Sequence, residues 1–192
     1  MTAVPAPRRV AFPAGLWGML MVIATEGMLL GAFIATYFYL RFKAPVWPPH
    51  GDHAPPIATT LILTACLVAT SAPMAIASWS AAAGELAKTR LALVIALIVQ
   101  CGYLAYEFKD FSDELHKSNI VHDQYTSIYY TLLGADHAHV FFGVLLNLWL
   151  LGKLVTGLTR YRVRAVQAIA WYWHFVNVLT IVIVGTLLSA HA

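Results

Sequence analysis

Five long stretches of almost uninterrupted apolar residues alternate with short polar segments along the chain. A helix that crosses a bilayer requires roughly 20 mostly apolar residues, and every stretch approaches or exceeds that length. We find no soluble domain, internal repeat or low-complexity tract. The pattern predicts an all-α fold, a polytopic membrane helix bundle in which residues 1–192 form a single transmembrane domain with five transmembrane helices. The predicted helices extend over about 16–40, 57–82, 91–108, 127–154 and 168–189.

The composition supports a membrane protein and excludes several other classes. The chain is 60% hydrophobic and only 11% charged, which leaves too little polar surface for a soluble domain of this length. The net charge of +3 forms no basic patch typical of nucleic-acid binding. Arg8 and Arg9 precede the first apolar stretch, but that stretch exceeds the ~7–15 residues of a signal-peptide core. Cys66 and Cys101 lie inside apolar stretches and are predicted to be small buried residues without a disulfide.

The lysines and arginines between the stretches predict the orientation of the helices, because the cytoplasmic side is usually richer in them. One side has eight of these residues: Arg8, Arg9, Lys88, Arg90, Lys153, Arg160, Arg162 and Arg164. The other side has four: Arg41, Lys43, Lys109 and Lys117. We therefore expect the N-terminus inside and the C-terminus outside.

Three ionisable residues lie at matching depth inside the predicted helices. By the helical rise, Glu26 is about 15 Å from the inner side, whereas Asp136 and His139 are about 14 and 18 Å from the outer side. All three are near the middle of a hydrocarbon core of ~30 Å, where facing lipid would be costly. We predict a buried polar cluster of Glu26, Asp136 and His139, with the first and fourth helices in contact or sharing a cavity at this level and protons shared within the group.

Small residues predict where helices approach each other closely. Gly27, Gly31 and Ala35 repeat every four residues in the first helix, and Gly143 lies on the polar side of the fourth. Such residues allow the backbone of a neighbouring helix to come near. Pro73 is expected to kink the second helix.

The polar residues of the last two helices form two faces. In the fourth helix, Asp136, His139 and Asn147 share one stripe, whereas His137 points about 100° away from Asp136. In the fifth helix, His174 and Asn177 form a second polar face. The roles left open for these side chains are interhelical hydrogen bonds, proton handling and contact with a lipid or substrate. No Cys-x-x-Cys or His-Glu-x-x-His motif predicts a metal site.

Several short motifs together resemble subunit III of the haem-copper cytochrome c oxidases, in a short, five-helix bacterial form. The resemblance extends from about Gly15 to the end of the fifth helix. Its markers are the Glu26 helix ending in Tyr37-Phe38-Tyr39-Leu40-Arg41, then Trp47-Pro48-Pro49-His50-Gly51, Glu107-Phe108, Gly134 to Gly143 with His139-Val140, and Trp171-Tyr172-Trp173-His174-Phe175-Val176.

The resemblance implies an accessory subunit of a proton-translocating oxidase in the aerobic respiratory chain, located in the bacterial plasma membrane. Such a subunit has no catalytic residues and no metal of its own. Its partners would be the catalytic subunit I, which carries haems and copper, and the copper-bearing subunit II. It would stabilise the catalytic subunit, hold phospholipid and support proton uptake. Glu26 would correspond to the buried carboxyl group of the family, and His139 and His174 to its histidines.

The chain departs from the family at three positions. Asp136 replaces a histidine, Asn177 replaces an aspartate, and Leu104 replaces a glutamine. A charge is thereby exchanged between the fourth and fifth helices.

Three alternatives remain open from the sequence. One is the related accessory subunit of a nitric oxide reductase. A second is a b-type haem protein, in which His139 and His174 would be the iron ligands. A third is a small transporter with Glu26 as the coupling carboxyl group, although the chain lacks inverted repeats.

Overall fold

The computed structural model describes residues 13–49, 56–117 and 123–191, except for the side chains of 114–117 and 191. These ranges contain helices and no strand. The helices are α1 (Ala14–Lys43), α2 (Ile57–Ala69), α3 (Ser71–Ala82), α4 (Leu86–Lys117), α5 (Gln124–Leu154) and α6 (Arg160–Leu188), followed by a 3₁₀ turn at Ser189–His191. Because α2 and α3 form one continuous span, five helical segments are long and apolar enough to cross a membrane. The predicted all-α fold with five transmembrane helices is confirmed.

The second span is interrupted at Thr70, three residues before Pro73. Proline has no backbone N–H and its ring clashes with the preceding turn, so it frees a carbonyl one turn earlier. The Thr70 hydroxyl donates a hydrogen bond to the Leu67 carbonyl at 2.5 Å. Trp173 Nε1 of α6 then donates to Thr70 Oγ1 at 2.6 Å. The predicted irregularity is therefore held in place by the last helix.

Two helices extend beyond the apolar stretches that predicted them. The sequence predicted a helix over 91–108, but α4 begins at Leu86 and continues to Lys117. The segment 155–167 was predicted as a loop, yet α6 begins at Arg160. Hydropathy detects the bilayer core and not the backbone conformation, and charged residues such as Lys, Arg and Glu are good helix formers. Thr159 caps α6 by accepting a hydrogen bond from the Arg162 amide at 3.3 Å.

Helix α6 occupies the centre of the bundle, where it packs against α1, α2, α3 and α5. Helix α5 packs against α1, α4 and α6, whereas α1 contacts only α5 and α6 among the described helices. The predicted contact between the first and fourth helices is therefore present, between α1 and α5. Trp173, Tyr172 and Val176 of α6 are almost completely buried and belong to the main hydrophobic core.

The cysteines were predicted to be buried, and this prediction is wrong. Cys66 and Cys101 are both exposed at the surface of the helix bundle. Inside a membrane an apolar residue gains as little from protein as from lipid surroundings, because lipid tails are equally apolar. Position within an apolar stretch therefore indicates depth in the bilayer and not burial in the protein.

The glycines predicted to mediate helix packing have different surroundings. A Cβ atom at Gly143 would lie 2.6 Å from Trp173 Cε3, so α5 and α6 can approach this closely only because Gly143 has no side chain. A Cβ at Gly27 would meet Phe175 of α6 at an ordinary 3.8 Å. Gly31 has nothing within 4 Å of that position, and Ala35 is exposed. In the described part of the chain, Gly27 of this stripe therefore meets another helix, whereas Gly31 and Ala35 lie at the surface.

Candidate functional site

The polar residues of α5 face three different helices. Asp136, His139 and Asn147 were predicted to form one stripe, and they lie on α5 as expected. Asp136 contacts α6, His139 contacts α1 and Asn147 contacts α4. Side chains of one stripe can contact three different helices because α5 packs against α1, α4 and α6.

Glu26 and His139 form a carboxylate–imidazole pair between α1 and α5. The distance from Glu26 Oε2 to His139 Nε2 is 3.3 Å. His139 Nδ1 donates a hydrogen bond to the Ala135 carbonyl at 2.6 Å, which fixes a proton on that nitrogen. The Nε2 atom therefore shares with Glu26 a single further proton, which can reside on either partner. Movement of this proton between the two partners leaves the net charge of the pair unchanged, whereas its release would leave the pair with one negative charge.

A recess beside this pair opens at the surface of the bundle. Its volume is about 300 Å³, and its lining residues are Val22, Glu26, Ala138, His139, Phe142 and Tyr172. The Glu26 side chain is 36% exposed, compared with 14% for His139. Tyr172 donates a hydrogen bond from its hydroxyl to the His139 carbonyl at 3.1 Å and so holds the inner wall in place. The Glu26 carboxyl group is therefore accessible from one side of α1.

Asp136, the third predicted member of the cluster, is oriented towards α6. It is 1% exposed, and Thr180 Oγ1 lies 2.8 Å from its Oδ1 atom. No hydrogen bond joins it to Glu26 or His139 within the described part of the chain, although it interacts electrostatically with His139. Residues 136 and 139 are nearly one turn apart, so side chains on the same half of α5 can still meet different helices.

The sequence did not predict a second carboxylate–imidazole pair, which joins α4 to α5. Glu107 Oε2 lies 3.0 Å from His137 Nε2, and the two side chains are 14% and 13% exposed. The ring of Phe111 packs edge-on against His137 with its centroid 5.7 Å away. His137 had been assigned to a different face from Asp136, and Glu107 had served only as a family marker. The comparison of depths that paired Glu26 with His139 would also have paired Glu107 with His137 if the predicted third helix had not ended at Phe108.

His174 and Asn177, the predicted second polar face, do not form a joint site within the described residues. Asn177 is 2% exposed and donates from Nδ2 to Ser71 Oγ of α3 at 2.6 Å, whereas its Oδ1 atom is buried without a partner. His174 is half-buried and makes no hydrogen bond in the described structure. Asn177 therefore links α6 to the kinked second span.

A further buried polar contact involves Gln100, which the sequence analysis did not single out. Asn147 Nδ2 donates to Gln100 Oε1 at 3.1 Å, and both side chains are completely buried. This contact fastens α4 to α5. A mid-helix glutamine in an apolar stretch is the signal that could have identified it.

The described residues contain no group of three or more His, Cys, Asp or Glu side chains placed to hold a metal ion. Both ring nitrogens of His139 also have partners within the chain, at Ala135 and Glu26. The haem alternative requires a free nitrogen on this residue, so the geometry gives it no support.

The fold and the polar contacts define a class: a multi-pass, all-α membrane protein in which pairs of buried polar side chains join neighbouring helices. The family model described as cytochrome c oxidase subunit III matches residues 9–187. This chain therefore belongs to the cytochrome c oxidase subunit III family, whose members are non-catalytic subunits of the oxidase.

Of the markers noted in the sequence, His50 and Gly51 lie outside the described residues.

Individual relatives give the same result. The chain is 27% identical to cytochrome c oxidase subunit 3 of Bacillus sp. (strain PS3) over 190 residues, which cover 93% of this chain and 88% of the relative. It is 28% identical to the subunit 3 of Bacillus subtilis (strain 168), with 88% and 81% covered. A probable subunit 3 from Nocardia farcinica is 25% identical, with 88% and 85% covered.

Proposed function

We propose that this chain stabilises the catalytic subunit of a proton-translocating haem-copper oxidase in a bacterial plasma membrane. The family match over residues 9–187 carries this proposal, since it identifies an accessory subunit of a cytochrome c oxidase complex. The partners would be subunit I, with its haems and copper, and the copper-bearing subunit II. Residues 1–192 would act as a single transmembrane domain without a metal of its own.

The unused face of α1 supports docking on another membrane subunit. Gly31 has open space around it and Ala35 is exposed, so this face of α1 is at the surface of the described part of the chain. A small-residue face allows close approach of a second helix in the membrane, where van der Waals packing drives association. We propose that α1 presents this face to the catalytic subunit.

The recess beside Glu26 supports a role in holding lipid. Val22 and Phe142 form exposed apolar walls, and the recess is open towards the side of the bundle. An acyl chain could lie along these walls, while Tyr172 and Glu26 supply the polar end of the recess. The lipid would then fill space between this subunit and its partner.

The Glu26–His139 pair supports a role in proton uptake by the complex. One proton is shared between two basic sites at 3.3 Å, and Glu26 is accessible from one side of the helix. Uptake of that proton by an unprotonated pair neutralises its negative charge, and a net charge in the bilayer core would be costly. The site would buffer protons near the catalytic subunit and would take no part in oxygen chemistry.

Purification of the complex through an affinity tag on this chain tests the proposed function. We expect a haem-containing catalytic subunit and a copper-containing subunit to co-purify in equal amounts with the tagged chain. Co-purification with a nitric oxide reductase lacking copper would favour that alternative and contradict the proposal. A Soret band in the separated, folded chain would instead support a haem protein.

The orientation, with the N-terminus inside, is part of the proposal and has its own test. Single cysteines at Ser118 and Thr159 would be introduced after Cys66 and Cys101 have been replaced by alanine. We expect a membrane-impermeant reagent to label Ser118→Cys from the outside and Thr159→Cys only after the membrane is opened. Labelling of both positions from the same side would contradict the orientation.

A further inference from the structure

Asp136 differs from the other two carboxyl groups near α5 because it has no cationic partner. Glu26 and Glu107 each lie within 3.3 Å of a histidine nitrogen. Within the described residues, no Lys, Arg or His nitrogen forms a salt bridge with Asp136, although the residue is only 1% exposed. An ionised carboxylate at this position would be a buried charge without a counter-ion, which membranes and protein interiors strongly disfavour.

The hydroxyl group of Thr180 has too few hydrogens to satisfy an ionised Asp136. Its Oγ1 atom lies 2.8 Å from Asp136 Oδ1 and 3.1 Å from the Val176 carbonyl. A hydroxyl has one hydrogen, so it can donate to only one of these two oxygens. If Asp136 is protonated, its O–H donates to Thr180 Oγ1 and the Thr180 hydroxyl donates to Val176. Both contacts then contain a hydrogen.

The charges around Asp136 do not remove the need for this proton. From α5, His137 and His139 attract its carboxylate, and Glu107 of α4 repels it. Each histidine already lies against its own glutamate, at 3.0 Å for His137 and 3.3 Å for His139, so neither is an unshared counter-ion for Asp136.

The remaining neighbours of Asp136 carry no positive charge. Tyr103 of α4 interacts electrostatically with Asp136 and is neutral in its protonated form. On α6 the group facing Asp136 is the Thr180 hydroxyl. On α1, Glu26 is paired with His139, and no side chain of α1 is among the charges that act on Asp136. Three carboxyl groups thus face two imidazoles, and an ionised Asp136 would leave the cluster with a net negative charge.

We propose that Asp136 is a proton-binding site inside the membrane, held as a neutral carboxylic acid that donates to Thr180 and located between the Glu26–His139 and Glu107–His137 pairs. This inference deepens the proton-holding role proposed above and rests on it for the use made of the proton. The cluster then contains three exchangeable protons, one in each pair and one on Asp136, with no net charge.

Infrared spectroscopy of the full chain in lipid nanodiscs at neutral pH tests this site. A protonated carboxyl group has a C=O stretch well separated from the bands of a carboxylate. We expect such a band to shift in chains labelled with ¹³C-carboxyl aspartate, which identifies the residue type without any substitution. Asp136→Asn should remove the band, whereas Asp113→Asn, at an exposed position on α4, should leave it unchanged.

The hydrogen bond to Thr180 provides an independent readout. In Thr180→Val the band should move to higher frequency because the acid loses its acceptor, and Thr180→Ser should restore it. The absence of a label-sensitive acid band in the wild-type chain, or the loss of carboxylate bands in Asp136→Asn, would overturn the proposal. Because the spectrum is recorded on the chain itself, this result is distinguishable from a failure to co-purify with an oxidase.

Discussion

Helices α1 and α6 have nearly the same hydropathy but opposite positions in the bundle. The apolar span of α1 has a mean hydropathy of 1.8, and 6% of it is buried within the described chain. The apolar span of α6 has a mean hydropathy of 1.6, and 50% of it is buried. Apolar character therefore places both helices in the membrane but does not separate a central helix from a peripheral one. The separation comes from the side chains that fill space and make hydrogen bonds between helices.

The two helices use their polar groups differently. On α6, Trp173 and Asn177 donate to the second span, and Thr180 contacts Asp136 of α5. On α1, the hydroxyls of Thr25 and Thr36 donate to backbone carbonyls of their own helix. These hydroxyls need no partner from another helix, so the outer face of α1 is left free for lipid or a second subunit.

The largest expected effect is at Gly143 of α5, which lies against the central helix α6. Gly143→Val should disrupt the packing of α5 against α6, because even the Cβ atom would overlap the Trp173 indole. Overpacking of this kind typically costs roughly 1–3 kcal/mol or more. We expect a large loss of folded chain in detergent and a lower thermal unfolding midpoint in near-UV circular dichroism.

Gly31→Val on α1 is the matched control for this experiment. It adds the same side chain at a position with nothing within 4 Å. The isolated chain should therefore fold as the wild type does. Equal destabilisation by the two substitutions would contradict the different positions of α1 and α6 in the bundle.

A second prediction concerns the assembled complex. If the open face of α1 docks on the catalytic subunit, Gly31→Leu should separate the two backbones and release most of this subunit during purification. The amount of subunit retained per haem measures the effect, with the folding of the free variant as the control. Normal retention and unchanged stability of the complex would show that Gly31 faces lipid.

These comparisons also explain how much of the fold the sequence could predict. The five spans and the irregularity near Pro73 follow from apolar length and from the chemistry of proline. The ends of α4 and α6 could not be predicted from hydropathy, because helices continue through polar residues outside the bilayer core. The exposure of Cys66 and Cys101 could not be predicted either, since lipid and protein are equally apolar surroundings.

The candidate site was predicted only in part, because the sequence indicates the depth of a residue but not which neighbouring helix it contacts. The estimate of depth along the helices brought Glu26 next to His139, and the two side chains do lie 3.3 Å apart on adjacent helices. Depth does not give the rotation of a helix, so it could not place Asp136 against Thr180. Glu107 was overlooked because it lies near the end of an apolar stretch.

A third prediction tests the polar contact between Glu26 of α1 and His139 of α5. Glu26→Ala removes the partner of His139 Nε2, and an unpaired buried polar group costs roughly 1–3 kcal/mol. Since Glu26 is 36% exposed, we expect a value at the lower end, seen as a lower thermal midpoint or reduced lipid retention. Glu26→Gln retains a hydrogen-bonding group and should assemble with nearly normal initial turnover.

The control for this pair is Glu85→Ala, which removes a glutamate whose side chain is 45% exposed and whose partner Lys88 is also exposed. Exposed ion pairs contribute little, so its stability should hardly change. Loss of initial turnover by Glu26→Gln in a fully assembled complex would make the carboxyl group catalytic and contradict the supporting role.

The smallest expected effect concerns one hydrogen bond of the central helix. Trp173→Phe retains most of the aromatic packing around Gly143 but removes the N–H group that donates to Thr70 at 2.6 Å. Thr70 still donates to the Leu67 carbonyl, so the kink should persist with a loss of about 1 kcal/mol, typical of one hydrogen bond. Trp79→Phe is the control, because Trp79 lies on the adjoining helix α3 and is 72% exposed. Thermal unfolding of the two variants, followed by circular dichroism, measures the difference. If Trp173→Phe is as stable as Trp79→Phe, then shape alone holds α6 against the second span, and the contrast between α6 and α1 depends on packing and not on hydrogen bonds.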